Sequence, residues 1–164
     1  MNEERGDKAP KEKGFEFNDD NCALLTPQMY EEFGYPILKK VFDYVDPDYS
    51  GYRYQHSDSA MGHLLPVLAR LNLTGCNFGP TVTVDQIRKY MPNTRIDGCL
   101  APFTFMRNNP EEIIAEVKRD CQMIKASKTK GLNLTTAGSI NDGSSLESMR
   151  LVMQVIQNEG RYDD

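Results

Sequence analysis

The sequence predicts an α/β fold with parallel strands. Three observations carry that expectation: strand-like and helical segments alternate in four successive units, the helical segments keep one apolar face, and polar residues collect after the strands. Residues Met1 to Gly14 alternate acidic and basic side chains and hold no residue after Met1 able to anchor them, which predicts a disordered charged leader over 1–14. From Thr26 the pattern turns helical. Thr26 suits an N-cap, Pro27 the first helical position, and Phe33, Ile37, Val41 and Val45 recur at helical spacing, with Pro36 expected to bend the helix.

Tyr52-Arg53-Tyr54-Gln55-His56 alternates after Gly51 and reads as a short strand, followed by a helix from about Ser59 to Leu71. Leu73 to Phe78 reads as the next strand and Val84 to Tyr90 as its helix. Thr94 to Leu100 precedes a longer helix from Pro110 to Lys125, and Leu132 to Thr135 precedes a helix from Ser145 to Asn158 that turns Leu146, Met149, Val152, Met153 and Ile156 inward. Strict alternation favours right-handed parallel crossovers, in a barrel sector or an open doubly wound sheet.

Bulk properties narrow the function. The chain has 164 residues, 39% of them hydrophobic, enough for one core but fewer than the roughly 250 of a complete eight-stranded α/β barrel. A net charge of −5 argues against nucleic acid as a partner, since binding a phosphate backbone needs concentrated Lys and Arg. No apolar run reaches the roughly 20 residues of a membrane span, and the polar start lacks the apolar stretch of a secretion signal, so the expectation is a cytoplasmic protein without a membrane partner. The four cysteines, Cys22, Cys76, Cys99 and Cys121, are widely spaced and suggest neither a disulfide framework nor a zinc ribbon. Gly75 to Gly79 lacks both the dinucleotide fingerprint and the P-loop lysine, so no nucleotide cofactor is expected.

In parallel α/β folds the ligand sits at the carboxyl ends of the strands. Those ends hold Asn18 to Asn21, His56-Ser57-Asp58-Ser59, Asn77, Thr104 and Arg107, and Thr135, Thr136 and Ser139, of which Asn77, Thr104, Arg107 and Ser139 are the candidates for holding a substrate. Thr26, Asp85, Asn109 and Ser145 fit the role of helix caps. His56 and Asp58 stand apart. Two residues apart on an extended strand, they face one side, where they can share a divalent metal or act as an acid/base pair. His63, on a helix, fits a structural role.

Phe17 to Pro27 with Tyr30 to Pro36, His56-Ser57-Asp58-Ser59, Gly98-Cys99-Leu100-Ala101-Pro102 and Thr135-Thr136-Ala137-Gly138-Ser139-Ile140 together resemble the uroporphyrinogen decarboxylase superfamily. That superfamily includes decarboxylases of tetrapyrrole biosynthesis and corrinoid-linked zinc methyltransferases. The resemblance covers residues 15–164 and implies the C-terminal half of an eight-stranded (βα)8 TIM barrel, from the end of its fourth strand to its last helix. It favours Asp20 over Asp19 as a catalytic acid. Decarboxylases place a histidine in the loop after the last strand, where this chain has Ala137-Gly138-Ser139.

The methyltransferase branch places a His-x-Cys zinc pair at His56, with a further cysteine near Gly138. Here Asp58 replaces the first cysteine, and His56, Asp58 and Cys99, with Cys76 as a lesser candidate, are the ligands left for zinc. The resemblance thus implies an enzyme of methyl transfer partnered by a corrinoid protein, or else a tetrapyrrole decarboxylase. A third reading is a non-catalytic half-barrel. Two open sheet edges and apolar interior residues would then need cover from the missing N-terminal half or from a second copy.

Overall fold

The structure, a computed structural model, describes residues 13–162. The expected leader lies outside these residues up to position 12. Its last residue, Gly14, opens the first strand. Five strands, β1 (Gly14–Asn18), β2 (Tyr52–Ser57), β3 (Gly75–Phe78), β4 (Arg95–Leu100) and β5 (Leu132–Thr136), form one sheet in the order β1-β2-β3-β4-β5. All four pairings are parallel. A doubly wound sheet would reverse its strand order part way across, and this one does not. The fold is a sector of a (βα)8 barrel with β1 and β5 as edges, one strand more than the alternation of the sequence suggests.

Thr26 caps the first helix as expected, its hydroxyl accepting from the amide of Met29 at 3.2 Å. That helix opens as α1 (Pro27–Met29), widens to a π turn over Tyr30–Gly34, and continues as α2 (Tyr35–Val45). The π turn is how the chain absorbs Pro36, whose ring lacks a donor and would clash with the carbonyl four residues back. The expected helix of 59–71 is instead a short α3 (Leu65–Leu68) between two 3-10 turns, with Pro66 in its first turn. Next come α4 (Val84–Tyr90), α5 (Pro102–Arg107), α6 (Pro110–Ala126) and α7 (Leu146–Glu159). Asn109 caps α6 and Ser145 caps α7, as expected. The cap of α4 is Thr83 rather than Asp85.

Helices cover one face of the sheet. Phe42, Leu64, Leu68, Cys76, Phe78, Ile87, Ile96 and Ile124 belong to one buried cluster, and Leu100, Phe105, Val117, Cys121 and Val152 to a second under α5, α6 and α7. The apolar residues of the strands point into these clusters. On the opposite, concave face the register aligns Asn18, His56, Asn77, Asp97 and Asn133 in a row, with Glu16, Tyr54, Gly75 and Arg95 one step below. The expectation of apolar interior residues needing cover is therefore wrong for this half: its interior wall is polar. The Asp97 carboxylate anchors it, accepting from the Tyr54 hydroxyl at 3.1 Å, from Arg95 Nη2 at 2.8 Å and from Asn133 Nδ2 at 2.9 Å. Burial and that carboxylate push the Tyr54 phenol up, so it stays protonated and donating. Among the described residues, no helix is long and apolar enough to cross a membrane.

Candidate active site at the carboxyl ends of the strands

His56 and Asp58 lie at the carboxyl end of β2, and the strand's alternation turns both towards the concave side. Their closest atoms, His56 Nε2 and Asp58 Oδ1, are 3.6 Å apart, near enough to share an ion pair and too far for a direct hydrogen bond. The other ring nitrogen, Nδ1, lies 3.0 Å from the side-chain oxygen of Asn77, the direct neighbour of His56 on β3. Asn77 then reaches across β4 to donate from Nδ2 to the Thr136 carbonyl at 3.3 Å. It passes beside Gly98, which sits at φ +125°.

Asp20 closes the site from the β1 side. Its Oδ1 accepts from the backbone amide of Asp58 at 2.7 Å and from the Ser57 hydroxyl at 3.2 Å, so it holds the end of β2 in place. Asp19 caps the following 3-10 turn through the amides of Asn21 and Cys22, which is the structural role left to it. Gly138, after β5, packs directly on the Asp58 carboxylate at φ +89°. Ser139 is exposed beside it at the mouth.

The substrate-binding candidates divide. Asn77 uses one donor and one acceptor of its amide on Thr136 and His56, so it orients the imidazole, and one N–H and one lone pair remain for a ligand. Thr104 and Arg107 lie on α5, where Arg107 Nη2 donates to Thr104 Oγ1 at 3.3 Å and also pairs with Glu112. They line a cavity of about 500 Å³ with Pro80, Ala101, Glu116 and Arg119, whose walls include neither His56 nor Asp58. The helix that starts at Pro102 is what carries them there.

Cys99 does not join the pair. Gly98, with its positive φ, breaks the alternation of β4, so that Asp97 and Gly98 both face the concave side and Cys99 turns into the helix-covered core with Cys76 and Ile124. Burial pushes the Cys99 thiol up to about 12 and the Cys76 thiol higher still, as expected of thiols packed in the core. Among the described residues, no three His, Cys, Asp or Glu side chains converge as a metal group. A zinc centre needs three or four protein donors, so His56 and Asp58 do not make one with the other described residues. All four cysteines are buried free thiols. They are expected to react slowly with an aromatic disulfide reagent in the native protein and fully after denaturation; prompt native labelling of Cys99 would contradict its place in the core.

Sequence reasoning missed the network around Asp97. Tyr54 and Tyr52 lie two and four residues before His56 and so share its face, which was the available signal, and their rings stack at 5.2 Å. His63 keeps its structural role, donating from Nε2 to the Leu25 carbonyl at 2.9 Å.

Comparison with known proteins bears on the family and the fold. The family model for uroporphyrinogen decarboxylase matches residues 15–158. Among curated proteins, none matches the chain in sequence. Among solved structures, a methyltransferase from Methanosarcina mazei superposes with a TM-score of 0.70 at 16% identity, over 89% of this chain and 42% of that one. The chain thus spans less than half the length of this structural relative. A barrel sector with its polar residues at the strand ends, matched by the family model over nearly its whole length, belongs to the uroporphyrinogen decarboxylase family.

Proposed function

We propose that this chain is the C-terminal, catalytic half of a methyltransferase barrel. In this reading the His56 and Asp58 pair takes the proton from a thiol or similar acceptor as that acceptor receives a methyl group from a corrinoid protein. The observation that carries it is the 3.6 Å gap between His56 Nε2 and the Asp58 carboxylate, at the strand ends where barrel enzymes place their chemistry. The structural likeness to a methyltransferase supports the choice of reaction.

In the step proposed, the acceptor sulfur attacks the methyl carbon, the bond from that carbon to the donor breaks with its electron pair leaving on the donor, and the S–H proton passes to His56. Asp58 then stabilises the imidazolium. The open edges β1 and β5 require a complement, from the first strands of the barrel or from a second copy, before substrate is enclosed.

The test is transfer from a methylated corrinoid protein to a thiol by the assembled barrel, followed by the absorbance change on demethylation. His56→Ala is expected to lower the rate about 10²- to 10⁴-fold. Turnover of uroporphyrinogen without methyl transfer would overturn the reading in favour of decarboxylation.

A further inference from the structure

The hydrogen-bond chain behind His56 has a direction. The Thr136 carbonyl can only accept, so the end of the Asn77 amide that faces it at 3.3 Å must be the NH2 group. The other end, facing His56 Nδ1 at 3.0 Å, is then the carbonyl oxygen, which also can only accept. The proton between Asn77 and His56 therefore belongs to the imidazole. In the neutral ring one nitrogen carries the hydrogen and the other a lone pair, so Nε2 is left as an acceptor directed at the concave side.

Nε2 faces Asp58, whose carboxylate is also an acceptor and whose position is fixed through its own backbone amide by Asp20 at 2.7 Å. Two acceptors 3.6 Å apart, with no hydrogen between them, are completed by a group that brings one.

We infer that Asn77 is a positioning residue that locks His56 in the Nδ1–H tautomer, so that Nε2 and the Asp58 carboxylate form a paired acceptor for a substrate S–H or N–H donor. The tautomer follows from the hydrogen bonds alone, and only the identity of the donor rests on the proposed methyl transfer. Gly98 flanks the device on a backbone at φ +125° that side chains rarely adopt, so a substitution there would strain the strand beside the Asn77 amide.

The chain has two histidines, and the same argument assigns them opposite tautomers. His63 donates from Nε2 to the Leu25 carbonyl, so its hydrogen is on Nε2. Long-range ¹H–¹⁵N spectra of the full chain at pH 8, assigned with His63→Gln, read both rings at once. The expected result is a protonated Nδ1 and unprotonated Nε2 for His56, with the reverse for His63. In Asn77→Leu the lock is gone and His56 is expected to shift to the Nε2–H form or to a mixture. In Asn77→Asp the carboxylate still only accepts, and the Nδ1–H form is expected to persist.

An Nε2–H signal for His56 in the native protein would overturn the inference. So would an unchanged tautomer in folded Asn77→Leu; if that variant fails to fold, loss of the Nδ1–H form in Asn77→Asp would do the same. Absence of methyl transfer alongside the expected spectra would remove the proposed reaction and leave the lock standing.

Discussion

Replacing Asp46 with alanine is expected to cost about 3–5 kcal/mol, a large share of the roughly 5–15 kcal/mol that holds a domain together. Asp46 follows α2, and its Oδ2 accepts from Arg53 Nε at 2.8 Å, the two side chains being only 1% and 2% exposed. Arg53 lies on the helix-facing side of β2, among apolar neighbours, and its guanidinium reaches the carbonyls of Asp46 at 2.7 Å and Leu71 at 3.3 Å while stacking over the Tyr49 ring at 3.9 Å. Asp46 Oδ1 also accepts from the Gly51 amide at 2.7 Å. Removing the carboxylate thus leaves the buried cation with only the more distant, half-exposed Asp43 carboxylate, 3.4 Å away, as an anionic partner, and frees the turn that starts β2. Arg53→Met fills the same space but leaves the buried Asp46 carboxylate without its cation; it should lose somewhat less, because that carboxylate keeps the Gly51 amide and can take up a proton. Chemical denaturation of both variants checks the order, and an equal or larger loss in Arg53→Met would mean that the contacts of the guanidinium, and not the Asp46 carboxylate at the turn, hold this corner together.

That ion pair also shows where sequence reading stops. Arg53 and Gln55 sit in a strand recognised by its alternation, yet they occupy the face that alternation assigns to the core, because the partners that make burial of Arg53 tolerable come from a helix end and a loop. Local pattern located β2 to β5 and the long helices α6 and α7, since each keeps one period over its length. It passed over β1, where Phe15 and Phe17 face the core from a strand that follows a charged run. It also passed over α5, only six residues long. The site was half legible. His56 and Asp58 are two apart on one strand, so local geometry suffices to bring them together. The pairing of His56 with Asn77 depends on the register of β2 against β3, and the turn of Cys99 into the helix-covered core depends on the backbone at Gly98, neither of which spacing along the chain expresses.

Gly138→Ala is expected to remove most of the activity while leaving most of the stability. An alanine Cβ there would lie 2.5 Å from Asp58 Oδ2 and 2.6 Å from Oδ1, distances at which the carboxylate has to move. It has somewhere to go, because 47% of the Asp58 side chain is exposed, so the folded state loses about 1–2 kcal/mol, chiefly from the strain of a side chain at φ +89°. The site loses more. Displacing Asp58 by about 1 Å separates it from His56 Nε2, and a misplacement of that size costs about 10²-fold in rate when catalysis depends on paired groups. If the contact with Asp58 is the cause, the effect of Gly138→Ala on kcat/KM should largely vanish in an Asp58→Ala background, where nothing is left to displace. An undiminished loss in that background would place the role of Gly138 in the backbone of the loop after β5 and not in the carboxylate it touches.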